Sequence, residues 1–455
     1  MTIFFKQDPV IQCVCRYDTF VIMYPDTYKE LGFSINQKAH LELNGVDLTT
    51  IITNDRPVYV VNELLIRQHL HVYRQTFQKF YPKSTSIFYA SKAFLNLGMA
   101  NIVQQEAVGL DVCSEGELFI AKLAGISGQN ILMHGNNKSR TELQAALDAK
   151  IYAIVIDSVS EFDLLESLSF TNRASVMLRV NPIIDVDTHP AMATGIYKSK
   201  FGLPLDDNRT TDLIMRMSKS TNVFFKGIHF HIGSQILNLK AYTEAIDAVI
   251  RYLSLLQKQG ITIDTLDIGG GLGVDEQEST IKTIERFSKH VCSEIIERCR
   301  QYEVPLPKLA IEPGRSVVSQ AGCTLYRIGH VKESDGLTFL AVHGGMSDNM
   351  RVALYQIKYN ACVANKMNQA PIKNYKVVGN CCESGDILIE NIFLPECKSG
   401  DVLVVFNTGA YSHSMVNQYN KHAMPGVVFM KNNDYVWTTK PQKLEDLVQY
   451  DTQLQ

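Results

Sequence analysis

Apolar runs of strand length recur along the chain from residue 87 to residue 315. Each is followed by polar residues and then by a stretch with helical spacing. The runs are "IFYASK" (87–92), "LDVCS" (110–114), "NILMHG" (130–135), "AIVIDS" (153–158), "SVMLRVN" (175–181), "KGIHFHIGS" (226–234), "TLDIGG" (265–270) and "LAIEPGR" (309–315). Helix starts are marked by Ser114 with Glu117, Ser139 with Glu142 and Ser158 with Glu161. In that S-x-x-E pattern, side chains satisfy the free backbone donors of a helix N-terminus. Gly125 stands where the first of these helices should stop. Strand, cap and helix repeated eight times predicts an α/β fold, a parallel sheet closed into a TIM-like (β/α)8 barrel. A doubly wound open sheet is the alternative, and the count of eight favours closure. The connection between the fifth and sixth strands, "DVDTHPAMATGIYKSKFG" (185–202), is long enough to suggest a functional loop.

After about residue 320 the pattern changes. "CTLYRIGHV", "LTFLAVHGG", "NYKVVGN" and "DVLVVFNTG" are separated by short polar or glycine-bearing links, and "GVVFMKNNDYVWTT" (426–439) reads as a hairpin around "KNND". This predicts a mainly-β domain. Residues 41–61 are also strand-like and extend it. The expected organisation is an N-terminal extension over 1–36, N-terminal strands of the β domain over 37–62, a barrel over 63–320 and the β domain over 321–455.

Bulk composition narrows the function classes. The chain has 455 residues, 45% hydrophobic, with Lys plus Arg at 44, Asp plus Glu at 47 and a net charge of −3. That balance gives no reason to expect a nucleic acid or an anionic membrane as partner. No apolar run approaches the ~20 residues of a bilayer span. The start, "MTIFFKQDPVIQC", lacks the order of a secretory signal. Ten cysteines in a chain this long do not form a disulfide framework. Cys13 and Cys15 have no second ligand pair nearby, so no metal is expected. The expectation is a cytoplasmic protein with reduced thiols.

Candidate chemistry collects at the ends of the barrel strands, where such folds place their active sites. Those ends hold Lys92, His134, Asn181, His231, Gly269 to Gly271, and Glu312 with Arg315. Each has a plain structural alternative: a snorkelling lysine, a core histidine, a tight turn in "DIGGGLG", an internal ion pair in "IEPGRS". "NCCESGD" (380–386) adds Cys382 and Glu383. Taken together they suit one cofactor. A strand-end lysine can form a Schiff base with an aldehyde. Pyridoxal phosphate has that aldehyde, a phosphate for the glycines and a ring nitrogen that needs an acidic partner, here Glu312.

The segments "YASKAF", "LDVCSEGEL", "HGNNKS", "SKFG", "HFHIGSQI", "DIGGGLG", "IEPGRS", "GGMSDNMRVALY", "CESGD" and "GAYSHSM" occur in order over most of the chain. In this it resembles the diaminopimelate decarboxylase family, of the barrel-plus-β-domain class of pyridoxal phosphate enzymes. The resemblance implies Lys92 as the Schiff-base lysine and His231 stacked on the pyridine ring. It implies Ser234, Gly270, Gly271 and Tyr411 on the phosphate with Gly314 and Arg315 nearby, and Glu312 on the ring nitrogen. Arg315, Arg351 and Tyr355 would clamp the distal carboxylate, Tyr411 would also border the substrate, Glu383 would take the distal ammonium and Cys382 would donate a proton. The implied reaction is decarboxylation of meso-2,6-diaminopimelate to L-lysine and CO2, the last step of lysine biosynthesis. The implied assembly is a homodimer with shared sites, in which Cys382 and Glu383 reach the partner's barrel.

Two features depart from the family's pattern. His343 stands where an aspartate usually precedes "GGM", and the first ~36 residues have no counterpart. They keep two other readings in view: decarboxylation of another basic amino acid on the same fold, and a non-catalytic regulatory relative.

Overall fold

The structure is a computed structural model and describes residues 29–168, 173–184, 199–275 and 278–454. The chain divides into two compact units. One gathers residues up to 66 together with 319–454; the other holds 67–275 and 280–318.

The first unit begins with a small antiparallel sheet of β1 (Phe33–Ile35), β2 (Leu41–Leu43) and β3 (Val46–Asp47). Asn44 and Gly45, both at positive φ, make the two-residue turn between β2 and β3. This sheet starts before residue 37, where the apolar pattern put the end of an extension. It is a separate sheet from the large one, tied to it by Asn44, which donates to Asn62 Oδ1 at 2.9 Å. Only β4 (Val58–Asn62), buried along its whole length, joins the large sheet. A strand apolar up to its last residue, Asn62, suits a position with both faces covered.

The second unit is the barrel. Its strands are β5 (Thr85–Ala90), β6 (Gly109–Val112), β7 (Ile131–Met133), β8 (Ala153–Ile156), β9 (Ala174–Asn181), β11 (Val223–His229), β12 (Thr265–Asp267) and β13 (Lys308–Ile311), with a short β10 (Leu203–Pro204) appended to β9. Each pairs in parallel with the next, β13 returns to β5, and the sheet closes. The open-sheet alternative is thereby excluded. Phe88, Leu132, Ala153, Val155, Met177 and Ala310, from five of the strands, pack into one buried cluster. Residues 185–198 of the connection after β9, and the pair Cys13 and Cys15, fall outside those described. So does most of the N-terminal extension.

The helix starts follow the sequence with one refinement. Ser114, Ser139 and Ser158 each cap a helix by accepting from the N–H of the glutamate three residues on. Only Ser139 with Glu142 closes the reciprocal box. Glu117 and Glu161 reach one residue further back, to the N–H groups of Cys113 and Asp157. Helix Glu115–Leu123 ends as expected: Gly125, at φ 77°, donates to Lys122 O and Ile126 to Ala121 O.

In the first unit, β14 (Gly322–Ser334), β15 (Leu337–Val342), β16 (Ala361–Val363), β17 (Lys373–Val378), β18 (Ile387–Leu394), β19 (Val402–Val405), β20 (Gly426–Lys431) and β21 (Asp434–Thr439) build the large sheet. Its order is β18-β17-β15-β14-β4-β20-β21, with β19 joining β14 to β16. Asn432 and Asn433 turn β20 into β21 with positive φ at both positions, as "KNND" suggests. Tyr326, Leu340, Tyr375, Val377, Leu388, Leu403 and Val405 lie in its core. The compact units meet in sequence at 66/67 and 318/319, against the expected 62/63 and 320/321.

Candidate active site

Lys92 lies in a single 3-10 turn, Ser91–Ala93, immediately after β5. Its Nζ donates to Asp111 Oδ2 at 2.9 Å. The lysine side chain is 42% exposed, whereas the carboxylate of Asp111, on β6, is fully buried. The amine is therefore held in place but remains open to a reagent. That geometry distinguishes it from a snorkelling side chain, whose charge would sit in water without a fixed partner.

Glu312, just past β13, is buried among titratable groups. His134 Nε2 lies 2.5 Å from Glu312 Oε1 and 3.8 Å from Asp111 Oδ1. His229 Nε2 lies 3.3 Å from Glu312 Oε2. Burial alone would raise the Glu312 carboxyl, but His134 and then His229 outweigh it and hold it well below the usual carboxylate range. Asp267, at the end of β12, goes the other way: burial first, then the negative charge of Glu312, pushes it well up. Of these two neighbouring acids, Glu312 is the ionised one and Asp267 the neutral one. Burial also brings His229 down to about 3, so it is a neutral imidazole. Arg179, on β9, stacks its guanidinium 4.3 Å from the Phe201 ring centre and lies 4.0 Å from Asp157 Oδ1.

His231 is half-buried. Its Nδ1 accepts from the Gly270 N–H at 3.2 Å. Burial, then the charges of Lys92 and Arg179, hold it well below its usual value and therefore neutral. The glycine run after β12 is required by close approach. A Cβ at Gly270 would lie 2.1 Å from Glu312 O, and Gly271 sits at φ 109° with Gly233 O 2.4 Å from where its Cβ would be. Arg315 follows Gly314 and donates through Nη2 to Ser234 Oγ at 2.9 Å. Lys92, His231, Ser234, Gly270, Gly271, Glu312, Gly314 and Arg315 all belong to the barrel unit. Asn181 is spent locally, its Oδ1 accepting from the Ile183 N–H at 2.9 Å.

The remaining candidates belong to the β unit. Arg351 is buried, donates to Ala410 O and Tyr359 Oη at 3.3 Å each, and lies 5.8 Å from the Tyr411 ring centre. Tyr355 is half-buried at the end of the same short helix, Arg351–Tyr355. The "NCCESGD" loop is pinned by its backbone. Asp386 accepts from the N–H of Met346 at 2.6 Å and of Cys381 at 2.8 Å, and Asn420 Oδ1 accepts from the N–H of Cys382 at 2.7 Å. Cys382 and Glu383 themselves are exposed. His343 is half-buried and lines a cavity of about 210 Å³ with Arg56, Asp348, Asn380, Lys421 and His422.

Asp111, His229, Asp267 and Arg179 are site residues that motif reading passed over. Each interrupts an otherwise apolar strand: "LDV", "GIHFH", "TLDI", "MLRV". A charged or polar side chain on a strand covered on both faces was the available signal.

Residues 65–319 match the family described as pyridoxal-dependent decarboxylase, pyridoxal binding domain. The diaminopimelate decarboxylase of Bacillus subtilis (strain 168) is 40% identical over 91% of this chain and 96% of that protein. That of Staphylococcus aureus (strain COL) is 38% identical over 92% and 99%. A crystal structure of diaminopimelate decarboxylase from M. jannaschii, in complex with L-lysine, superposes with a TM-score of 0.83 at 29% identity, covering 93% of this chain and 98% of that one. Among the described residues, no helix is long and apolar enough to cross a membrane.

Proposed function

The chain belongs to the diaminopimelate decarboxylases of the pyridoxal-dependent decarboxylase family, and from that membership we propose that it converts meso-2,6-diaminopimelate to L-lysine and CO2. Its cofactor is pyridoxal 5'-phosphate. The residues suit that group. Lys92 offers an accessible amine, Ser234 and Arg315 a hydrogen-bonded phosphate clamp beside the close-packed Gly270 and Gly271, and Glu312 an ionised carboxylate. Neither His229 ring nitrogen nor Asp267 Oδ2 makes a hydrogen bond among the described residues, so the polar set around Glu312 is not saturated by the protein alone.

The cofactor, when bound, supplies a sink for the electron pair left by a departing carboxylate. Everything else falls to the chain. Lys92 Nζ is the covalent anchor, oriented by Asp111. Glu312, as an anion, would pair with the ring nitrogen, and His231, as a neutral imidazole, would support the ring. Arg315, Arg351 and Tyr355 hold the distal carboxylate of the substrate, for which a guanidinium fork is well shaped. Tyr411 borders both phosphate and substrate, and Glu383 takes the distal ammonium. Cys382 Sγ delivers a proton to the carbon that lost CO2. Because Cys382 and Glu383 are exposed on their loop, we assign them to a partner subunit's barrel, in a cytoplasmic homodimer.

The observation that carries the reading is the held but accessible amine of Lys92. Purified protein given pyridoxal phosphate and meso-diaminopimelate should release L-lysine and CO2 in equal amounts. A substrate panel including lysine and ornithine separates this from decarboxylation of another basic amino acid. No product from any of them overturns the proposal and leaves the non-catalytic reading.

A further inference from the structure

Glu312 is gripped by two imidazoles that the roles above leave idle. His134 comes from the end of β7 and His229 from the end of β11, strands on different sides of the closed sheet. His134 Nε2 reaches Oε1 at 2.5 Å and His229 Nε2 stands 3.3 Å from Oε2, so one ring nitrogen faces each carboxylate oxygen. The two rings meet edge to face at 4.5 Å, which fixes their mutual angle. All three side chains are at most 5% exposed. His134 has a second neighbour, Asp111 Oδ1 at 3.8 Å, and Asp111 in turn holds Lys92. A single imidazole therefore stands between the carboxylate that orients the anchoring lysine and the carboxylate at the opposite end of the cluster.

A buried carboxylate with no donors would take up a proton, because burial penalises its charge. The groups facing Glu312 are His134, His229, Asp267 and, at longer range, Asp111 and Arg179. Asp267 is neutral and carries no charge to offset that of Glu312; its acid proton can at most add a hydrogen bond. His229 is neutral, and its Nε2 stands 3.3 Å from Oε2 without hydrogen-bond geometry. The groups that hold Glu312 charged are thus His134, which is hydrogen-bonded to it, and then His229 beside it.

We infer that His134 and His229 are positioning residues which clamp both oxygens of Glu312 and keep its charge available, so that the proton shared with the cofactor's pyridine nitrogen stays on the ring. This rests on the reading of Glu312 as the partner of that nitrogen. A carboxylate made more basic by loss of a clamp would draw the proton to itself, and the ring would withdraw electrons less strongly.

The test uses holoenzyme reconstituted with pyridoxal phosphate carrying nitrogen-15 in the ring. The wild-type ring nitrogen should resonate at its protonated position. In His134→Ala it should move toward the unprotonated position. His134→Gln, which retains an N–H near the place of Nε2, should fall between the two. The kcat for meso-diaminopimelate should drop by ~10–100-fold in His134→Ala, the range for loss of one charge-assisted hydrogen bond, with KM unchanged. A wild-type resonance in His134→Ala overturns the inference. If that variant fails to fold, wild-type resonances in both His134→Gln and His229→Asn do the same. A wild-type protein that binds no pyridoxal phosphate defeats the reading of the site instead, whatever the histidine variants show.

Discussion

Lys92 and Asp111 form an ion pair of unequal exposure: the lysine side chain is 42% exposed and the aspartate side chain is fully buried, 2.9 Å apart. The pair is asymmetric in its consequences. Removing the lysine strands a buried charge, whereas removing the aspartate frees an exposed one. Asp111→Asn should therefore leave cofactor bound but misorient the amine. Borohydride reduction followed by peptide mapping should label Lys92 in the wild type and nothing in Lys92→Ala. A label on another lysine refutes the anchor assignment.

Cys382→Ala should lower turnover by ~10²–10⁴-fold, the usual contribution of a positioned general acid, with cofactor binding retained. The adjacent Cys381 is the natural control. Its N–H is bound to Asp386, and burial raises its thiol. Cys381→Ala should keep most of the activity. Reversed effects of the two variants would exchange their roles.

Asp386 ties two loops of the β unit together by accepting from Met346 and Cys381 N–H groups. Its carboxylate fits only because Gly345 and Gly379 lack side chains; a Cβ at either would come within 2.3 Å of it. Asp386→Ala leaves two backbone donors without their acceptor and should cost about 1–3 kcal/mol in denaturant unfolding. It should also reduce turnover, since the loop carries Cys382. Full stability in this variant would mean the loop is held by other contacts.

Asp348 is a buried carboxyl raised to about 7, by burial first, although Tyr326 and the Gly345 N–H both donate to it. Raised in the folded state, it binds its proton more tightly there than in the unfolded chain, where the usual value is 3.8. Its contribution to stability is complete below that value and is lost as pH rises through about 7. The difference amounts to about 4 kcal/mol at most. Wild type should lose stability relative to Asp348→Asn over this window, measured by denaturant unfolding at several pH values. Parallel pH profiles would place the Asp348 proton elsewhere.

Much of the barrel was legible because its strands are buried on both faces and three of its helices begin with Ser-x-x-Glu. Lys92, Glu312 and Arg315 were legible because they end such strands. The network behind them was not. Asp111, His229 and Asp267 lie inside apolar runs, and a single strand does not reveal which distant strand its polar residue faces. His134 was noticed as a strand end, but its partner Glu312 is 178 residues away in sequence. That β1 to β3 form a small sheet of their own was not legible for a related reason. Pairing partners are set by tertiary contacts, and "FSI", "LEL" and "VD" are too short to declare them.

The position of β4 has a consequence for biosynthesis. It sits between β14 and β20 in the large sheet, yet it leaves the ribosome some 260 residues before β14 does. At translation speeds of roughly 5–20 residues per second, it waits on the order of 10–50 s with both edges unpaired, while the barrel is made behind it. The segment "VYVVN" is then a sticky, flat ribbon on a nascent chain, suited to chaperone capture. Fragments that stop after the barrel would keep that ribbon permanently bare.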